Sequence, residues 1–232
     1  LAHPSFVKKG YLVEDMKYLS NYKLMEVLNG FRISCAHWDM ALSNGHLVYL
    51  IGNDDSHDVT DITDVATRFT MINAPENESE QLLQALEKGS AVGVDFPVKR
   101  DETLEQKINR LKKNLPHITQ VELKGDTLFV ADSKTFSKIK FIGQEGKVLN
   151  SQKNKKSAFY IIQPEDNYVR TELAFKDGTT LYLNPITRHE NATVEKQRLD
   201  HINWTKTIIF WSIYAVIIFV FARRILVKKK TV

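Results

Sequence analysis

The feature that most constrains how this chain can fold is the run Thr207–Ala222. It has no charged residue, and twelve of its residues are Ile, Phe, Trp, Tyr or Val. Apolar groups cover every face at helical spacing, so the run reads as a membrane span rather than an amphipathic surface helix. Ile225, Leu226 and Val227 extend it toward the roughly 20 residues that a span needs. Trp204, Trp211 and Tyr214 gather near its start, as interface aromatics do. Arg223, Arg224, Lys228, Lys229 and Lys230 close it and predict a cytoplasmic C-terminus, with the body on the outer, periplasmic or extracellular, face of a single-pass protein. Removing those five from the 32 basic residues leaves 27 against 28 acidic ones. The positive balance is therefore a property of the tail, and no nucleic-acid partner is expected. The one cysteine, Cys35, excludes an internal disulfide and reads as a buried small apolar residue.

The remaining chain divides by pattern. From 1 to 98, short apolar runs alternate with helical stretches. Strands are predicted at Leu1–His3, Leu24–Leu28 and Leu47–Ile51, and helices over Val13–Leu19, Trp38–Ser43 and Glu80–Lys88. Alternation of this kind predicts βα units with parallel pairing. Residues 99–117 form a helical connector with Leu104, Ile108, Leu111 and Leu115 on one stripe. From 118 to 190 the turn pairs Gly125-Asp126 and Asp177-Gly178 mark hairpins, and seven short strands predict a small antiparallel, immunoglobulin-like β-sandwich. Ser151–Ser157, with three lysines and no apolar side chain, reads as an exposed loop. A juxtamembrane connector over 191–206, the span over 207–227 and a basic tail over 228–232 complete the expected order.

Two short clusters carry ligand chemistry. His3 precedes Pro4 at a strand end, where proline favours an extended His3 backbone. Asp55-Ser56-His57 follows the strand that ends near Gly52, and an extended backbone there would turn Asp55 and His57 to the same side. Imidazole and carboxylate are ligand types for zinc, manganese or iron. In α/β folds chemistry gathers at the C-terminal ends of parallel strands, where both clusters fall. Around them, Glu26, His37, Asp54 and Asp58 are candidates for orienting ligands or lining a substrate cleft. Each also has a plain structural reading, in turns, caps and ion pairs.

Taken together, Leu1-Ala2-His3-Pro4, Met25-Glu26-Val27-Leu28-Asn29-Gly30, His37-Trp38-Asp39 and Gly52-Asn53-Asp54-Asp55-Ser56-His57-Asp58 resemble the C-terminal half of a hydrolase of the PHP (polymerase and histidinol phosphatase) superfamily. The resemblance covers residues 1 to about 98. It implies a partial, distorted βα barrel and a site for two or three divalent metals in the intact protein. His3, Asp55 and His57 would be ligands, and further His and Glu ligands would lie upstream. It implies a metal-activated water attacking a small anionic ester, most simply a phosphoester, and little turnover by this chain alone. The alternatives are a carbamate, amide or cyclic-ester hydrolase of the same fold, and a non-catalytic, membrane-tethered binding or scaffold protein.

Overall fold

The computed structural model describes residues 1–6, 10–187 and 204–228, with side chains described up to 223. It comprises two compact units, Leu1–Arg198 and Leu199–Val232. The described residues of the first unit hold ten strands: β1 (Leu24–Asn29), β2 (Arg32–Ile33), β3 (Tyr49–Asn53), β4 (Arg68–Ile72), β5 (Ala91–Asp95), β6 (Ile118–Lys124), β7 (Thr127–Ile142), β8 (Val148–Ile161), β9 (Tyr168–Ala174) and β10 (Thr180–Thr187). Its helices are α1 (Cys35–Ser43), α2 (Ser79–Glu87) and α3 (Leu104–Asn114), with a 3₁₀ turn at Val13–Lys17.

The partial βα barrel and the separate β-sandwich are both overturned. A three-stranded sheet, β2-β1-β3, stands beside a curled seven-stranded antiparallel half-barrel. In the large sheet β4-β5-β10-β9-β7-β6 form one path, and β8 pairs with β7. Strands β4 and β5, from the segment expected to close a barrel, thus join the same sheet as β9 and β10. The pairing explains why. Val94 of β5 lies between Phe69 of β4 and Leu181 of β10, and buried Val94, Leu181 and Leu173 share one core with Phe96, Phe136, Ile139 and Phe141. Burying this apolar face against one continuous sheet removes more surface from water than two small separate layers would. One parallel pair exists among the described residues, β1 with β3, as the alternation of the first hundred residues predicts.

Ser151–Ser157 is edge strand, not loop: β8 runs through it, with Lys153 opposite Lys138 and Lys155 opposite Phe136. Its lysines are exposed, which is how natural sheets discourage edge-to-edge pairing. A second cluster packs Trp38, Ala41 and Leu42 of α1 on Met25, Val27 and Leu28 of β1, and reaches Tyr168 and Tyr182 of the large sheet. Helix α3 departs from its expected stripe. Its fully buried residue is Lys107, whose Nζ donates to Ile62 O (2.8 Å), Val65 O (2.6 Å) and Thr67 Oγ1 (2.8 Å). Those acceptors meet all three ammonium donors, which is the condition for burying such a group.

The start of α3 carries a pH prediction. Glu102 receives Arg110 Nε (2.7 Å) and Nη2 (2.8 Å), and the hydrogen bonds from Arg110 hold its carboxyl down at about 2 against burial, which opposes them. A depressed carboxyl contributes stability that is complete above its ordinary 4.5 and is lost as pH falls toward 2. The unfolding free energy of wild type should therefore fall faster than that of Glu102→Gln between those two pH values, as read by denaturant titrations. Parallel pH profiles would count against the pairing.

The second unit contains α4 (Trp204–Lys228). Its Trp204–Arg223 stretch, 20 residues of mean hydropathy 1.9, is long and apolar enough to cross a membrane. The connector expected over 191–206 lies outside the described residues up to residue 203, as does the tail from 229.

Candidate functional site

Strands β1 and β3 end level with each other, Asn29 opposite Asn53. Leu1 lies alongside β1, its N–H₃⁺ on Leu24 O (2.7 Å) and its carbonyl receiving Glu26 N–H (2.9 Å). Three segments distant in sequence thereby reach one edge: the start of the chain, the end of β1 and the loop after β3.

Glu26 organises this edge. Its carboxylate is 2% exposed, yet four donors meet it. Oε2 accepts the His3 backbone N–H (2.6 Å) and faces His3 Nδ1 at 2.9 Å. Oε1 accepts Asn29 Nδ2 (2.9 Å) and Asn53 Nδ2 (2.7 Å). The carboxylate contact assigns the ring proton of neutral His3 to Nδ1 and leaves the Nε2 lone pair uncommitted. The ring is 44% exposed, and Nε2 makes no hydrogen bond among the described residues. Asn29 then links this half to the next loop: Nδ2 also donates to Asp55 Oδ2 (3.2 Å), while Oδ1 accepts Phe31 N–H (2.9 Å). The Phe31 bond fixes which way the amide faces, because a flipped group would present two N–H donors to another N–H.

His3 and Asp55 thus come to the same amide, Asn29 Nδ2 lying 3.3 Å from His3 Nδ1. Neither has the extended backbone expected of it. Both occupy the left-handed region, His3 at φ 48° and Asp55 at φ 51°. At Asp55 the cause is local: its N–H turns back to Asn53 Oδ1 (2.9 Å), an Asx turn that tolerates this conformation. Strained non-glycine backbone held by surrounding bonds is a common property of binding edges.

His57 takes a different course. Its backbone N–H and that of Asp58 both donate to Asp64 Oδ2 (2.6 and 2.8 Å), which ties the loop back on itself. Its exposed ring packs on Phe31 with centroids 5.9 Å apart. Asp64 is held below the usual carboxylate range by those two N–H donors, Asp58's first. Asp58 is lowered too, by the Thr60 hydroxyl and then the Thr60 N–H. Asp54 accepts Ala66, Thr67 and Arg68 N–H groups (2.6, 2.7 and 2.7 Å) and so ties the far end of this loop to β4. His37 is buried on α1 and bonds through Nε2 to Tyr11 O (2.9 Å), fastening the segment before the first turn. Among the described residues, no group of three or more His, Cys, Asp or Glu side chains is arranged to hold a metal ion. Cys35 offers no nucleophile, since burial pushes its thiol up to about 12.

The residues that sequence reasoning missed are Asn29 and Asn53. Both read there only as members of the Met25–Gly30 and Gly52–Asp58 runs, with no role of their own. The available signal is that both are amides at the last position of a parallel strand, each able to reach a neighbouring carboxylate. No family model, curated protein or solved structure matches the chain, so the PHP resemblance drawn from its motifs has no support from these comparisons.

Proposed function

We propose that this chain is anchored in a membrane by α4 and carries one edge of a divalent-metal site that serves ester hydrolysis, with phosphoesters as the leading substrate class. The observation that carries the reading is the Glu26–His3–Asn29–Asp55 network. A buried carboxylate that takes one ring proton of a histidine and turns the other nitrogen outward is the usual support behind a metal-binding imidazole. Asn29 performs the matching task for Asp55, holding Oδ2 and leaving Oδ1 without a hydrogen bond among the described residues. His3 Nε2 and Asp55 Oδ1 are donors that zinc, manganese and iron accept. They are two, so the other positions of the shell fall to water, substrate or further groups. A bound ion would lower the pKa of its water and stabilise negative charge on the ester. The role of this chain's residues is to bind and orient. His3 and Asp55 grip, Glu26 selects the tautomer, Asn29 fixes the carboxylate, and Asn53 braces Glu26 from β3. The basic residues after the span support an outward-facing body.

The test is titration of the full chain in detergent with Mn²⁺ and Zn²⁺. Wild type should bind more tightly than either His3→Ala or Asp55→Ala, and Glu26→Gln should weaken binding about 10- to 100-fold through the lost support. Equal affinities in all four proteins would remove the metal reading. They would favour the second one, a metal-free tethered binding module.

A further inference from the structure

A cavity of about 510 Å³ opens on the side of the half-barrel at α3, built by segments far apart in sequence. Lys99 stands before α3, Arg110 lies on it, Lys134 sits in β7, and Phe175, Lys176 and Asp177 come from the end of β9 and its turn. Lys134 falls where the β7–β8 register breaks between Ala131 and Phe136, and such irregularities commonly re-aim a side chain toward a site.

Arg110 is the fixed cation among the lining residues. Its side chain is 8% exposed, and its guanidinium lies 3.9 Å from the centroid of the Phe96 ring. Nε and Nη2 are engaged by Glu102 and by Pro97 O (2.8 Å), so the fork cannot rotate. Nη1, although buried, has no hydrogen-bond partner among the described residues. That nitrogen is closed to solvent and belongs to a guanidinium stacked on Phe96, so it meets no molecule in the cavity. Of the carboxylates nearby, Glu102 is used by Arg110 itself, and Asp177 Oδ1 accepts Thr179 N–H (3.1 Å). Lys99 and Lys176 form no salt bridge among the described residues, and Lys134 Nζ has a carbonyl, Asn114 O. With Arg110 balanced by Glu102, three lysines face one aspartate, an excess of two positive charges around the cavity. A phosphate dianion matches that excess, whereas a carboxylate would leave half of it unbalanced. The volume far exceeds one phosphate group, and Phe175 with Pro116 supplies an apolar wall.

We propose that this cavity binds a small soluble phosphate ester, its oxygens held by the ammonium groups of Lys99, Lys134 and Lys176. The site is separate from the His3–Asp55 edge and does not depend on any metal there.

The experiment is calorimetric titration of the full chain in phosphatidylcholine nanodiscs with AMP, pyrophosphate and inorganic phosphate. EDTA is present throughout, and ionic strength is held with chloride. AMP should bind above the chloride background. Lys134→Gln and Lys176→Gln, each removing a charge-assisted hydrogen bond from a partly or fully exposed side chain, should each weaken AMP binding by about tenfold or more. Thermal unfolding of the two glutamine variants, unchanged from wild type, assigns their loss to binding rather than folding. The proposal is overturned if none of the three probes binds above chloride, or if AMP binding survives both glutamine substitutions. It is also overturned if binding appears only when the nanodiscs carry phosphatidic acid, which would make the ligand a lipid headgroup.

Discussion

Asp39→Ala is expected to destabilise the body by about 3–5 kcal/mol, the usual result of stripping one partner from a buried ion pair. Asp39 is on α1 and Arg170 on β9, so the pair joins the small-sheet layer to the half-barrel across 131 residues of sequence. Arg170 Nε donates to Oδ1 (2.6 Å), Nη2 donates to Oδ2 (2.8 Å), and the guanidinium lies 5.2 Å from the centroid of the Trp38 ring. Tyr168 Oη stands 3.0 Å from the same Oδ1 and 2.6 Å from Gly143 O, one proton between two acceptors. Burial presses the Arg170 pKa down, but the Asp39 bonds outweigh it and hold the group above its ordinary value. Alanine would leave that cation with Glu172 alone, through Nη1 (2.6 Å). Urea unfolding of wild type and Asp39→Ala in detergent measures the difference. Asp39→Leu combined with Arg170→Met should lose less than the two single losses summed, because the double change removes both charges instead of stranding one. A loss below about 1 kcal/mol for Asp39→Ala would place the pair among surface-like ion pairs and refute its role.

The pair also shows where sequence reading stops. His37-Trp38-Asp39 stood out as a motif, but the partner that explains Asp39 is a non-local arginine with no local signature. The legible elements were those announced by neighbours in the chain. Asn44-Gly45 ends α1, Gly125-Asp126 joins β6 to β7, Asp177-Gly178 joins β9 to β10, and apolar periodicity marks β1, β3 and α3. Strands β4 and β5 were missed because no hairpin turn announces them: β5 pairs with the distant β10, and β4 pairs in turn with β5. Strand β8 was misread for the opposite reason. At a sheet edge its lysine-rich middle needs no buried face, so hydrogen bonding to β7 defines it and no apolar alternation does. Lys107 and Arg110 broke the α3 stripe because main-chain carbonyls and Glu102 receive them. At the site, ligand-type residues were visible and convergence was not. Asn29 brings His3 and Asp55 together, while Asp64 holds the His57 backbone, and both effects come from hydrogen bonds that spacing does not reveal.

Gly30→Ala should damage fold and site together, and its comparison with Gly45→Ala isolates the cause. A methyl on Gly30 would stand 2.0 Å from Asp54 O and 3.0 Å from Asp54 C, main-chain atoms that cannot swing aside. Nor can that loop retreat as a body. Asp54 is clamped by three N–H groups from Ala66 to Arg68, and Arg68 Nη1 in turn holds Asn29 O on the opposing turn. Relief must come from shifting the β1–β2 turn or the Asp54–Asp55 backbone, at a cost near the upper end of overpacking, about 3 kcal/mol. Either shift separates Asn29 from Asp55 and releases the carboxylate that the proposed metal edge requires. Gly45 offers the contrast: its φ is +82°, but nothing lies within 4 Å of an added methyl. Alanine there meets only the left-handed backbone penalty, about 1–2 kcal/mol, and α1 and the site stay in register. Thermal unfolding paired with Mn²⁺ titration separates the two cases. Gly30→Ala should lose both stability and metal affinity, and Gly45→Ala stability alone. If Gly30→Ala keeps wild-type stability, the turn and the Asp54 loop are not locked together, and the support claimed for Asp55 fails with them.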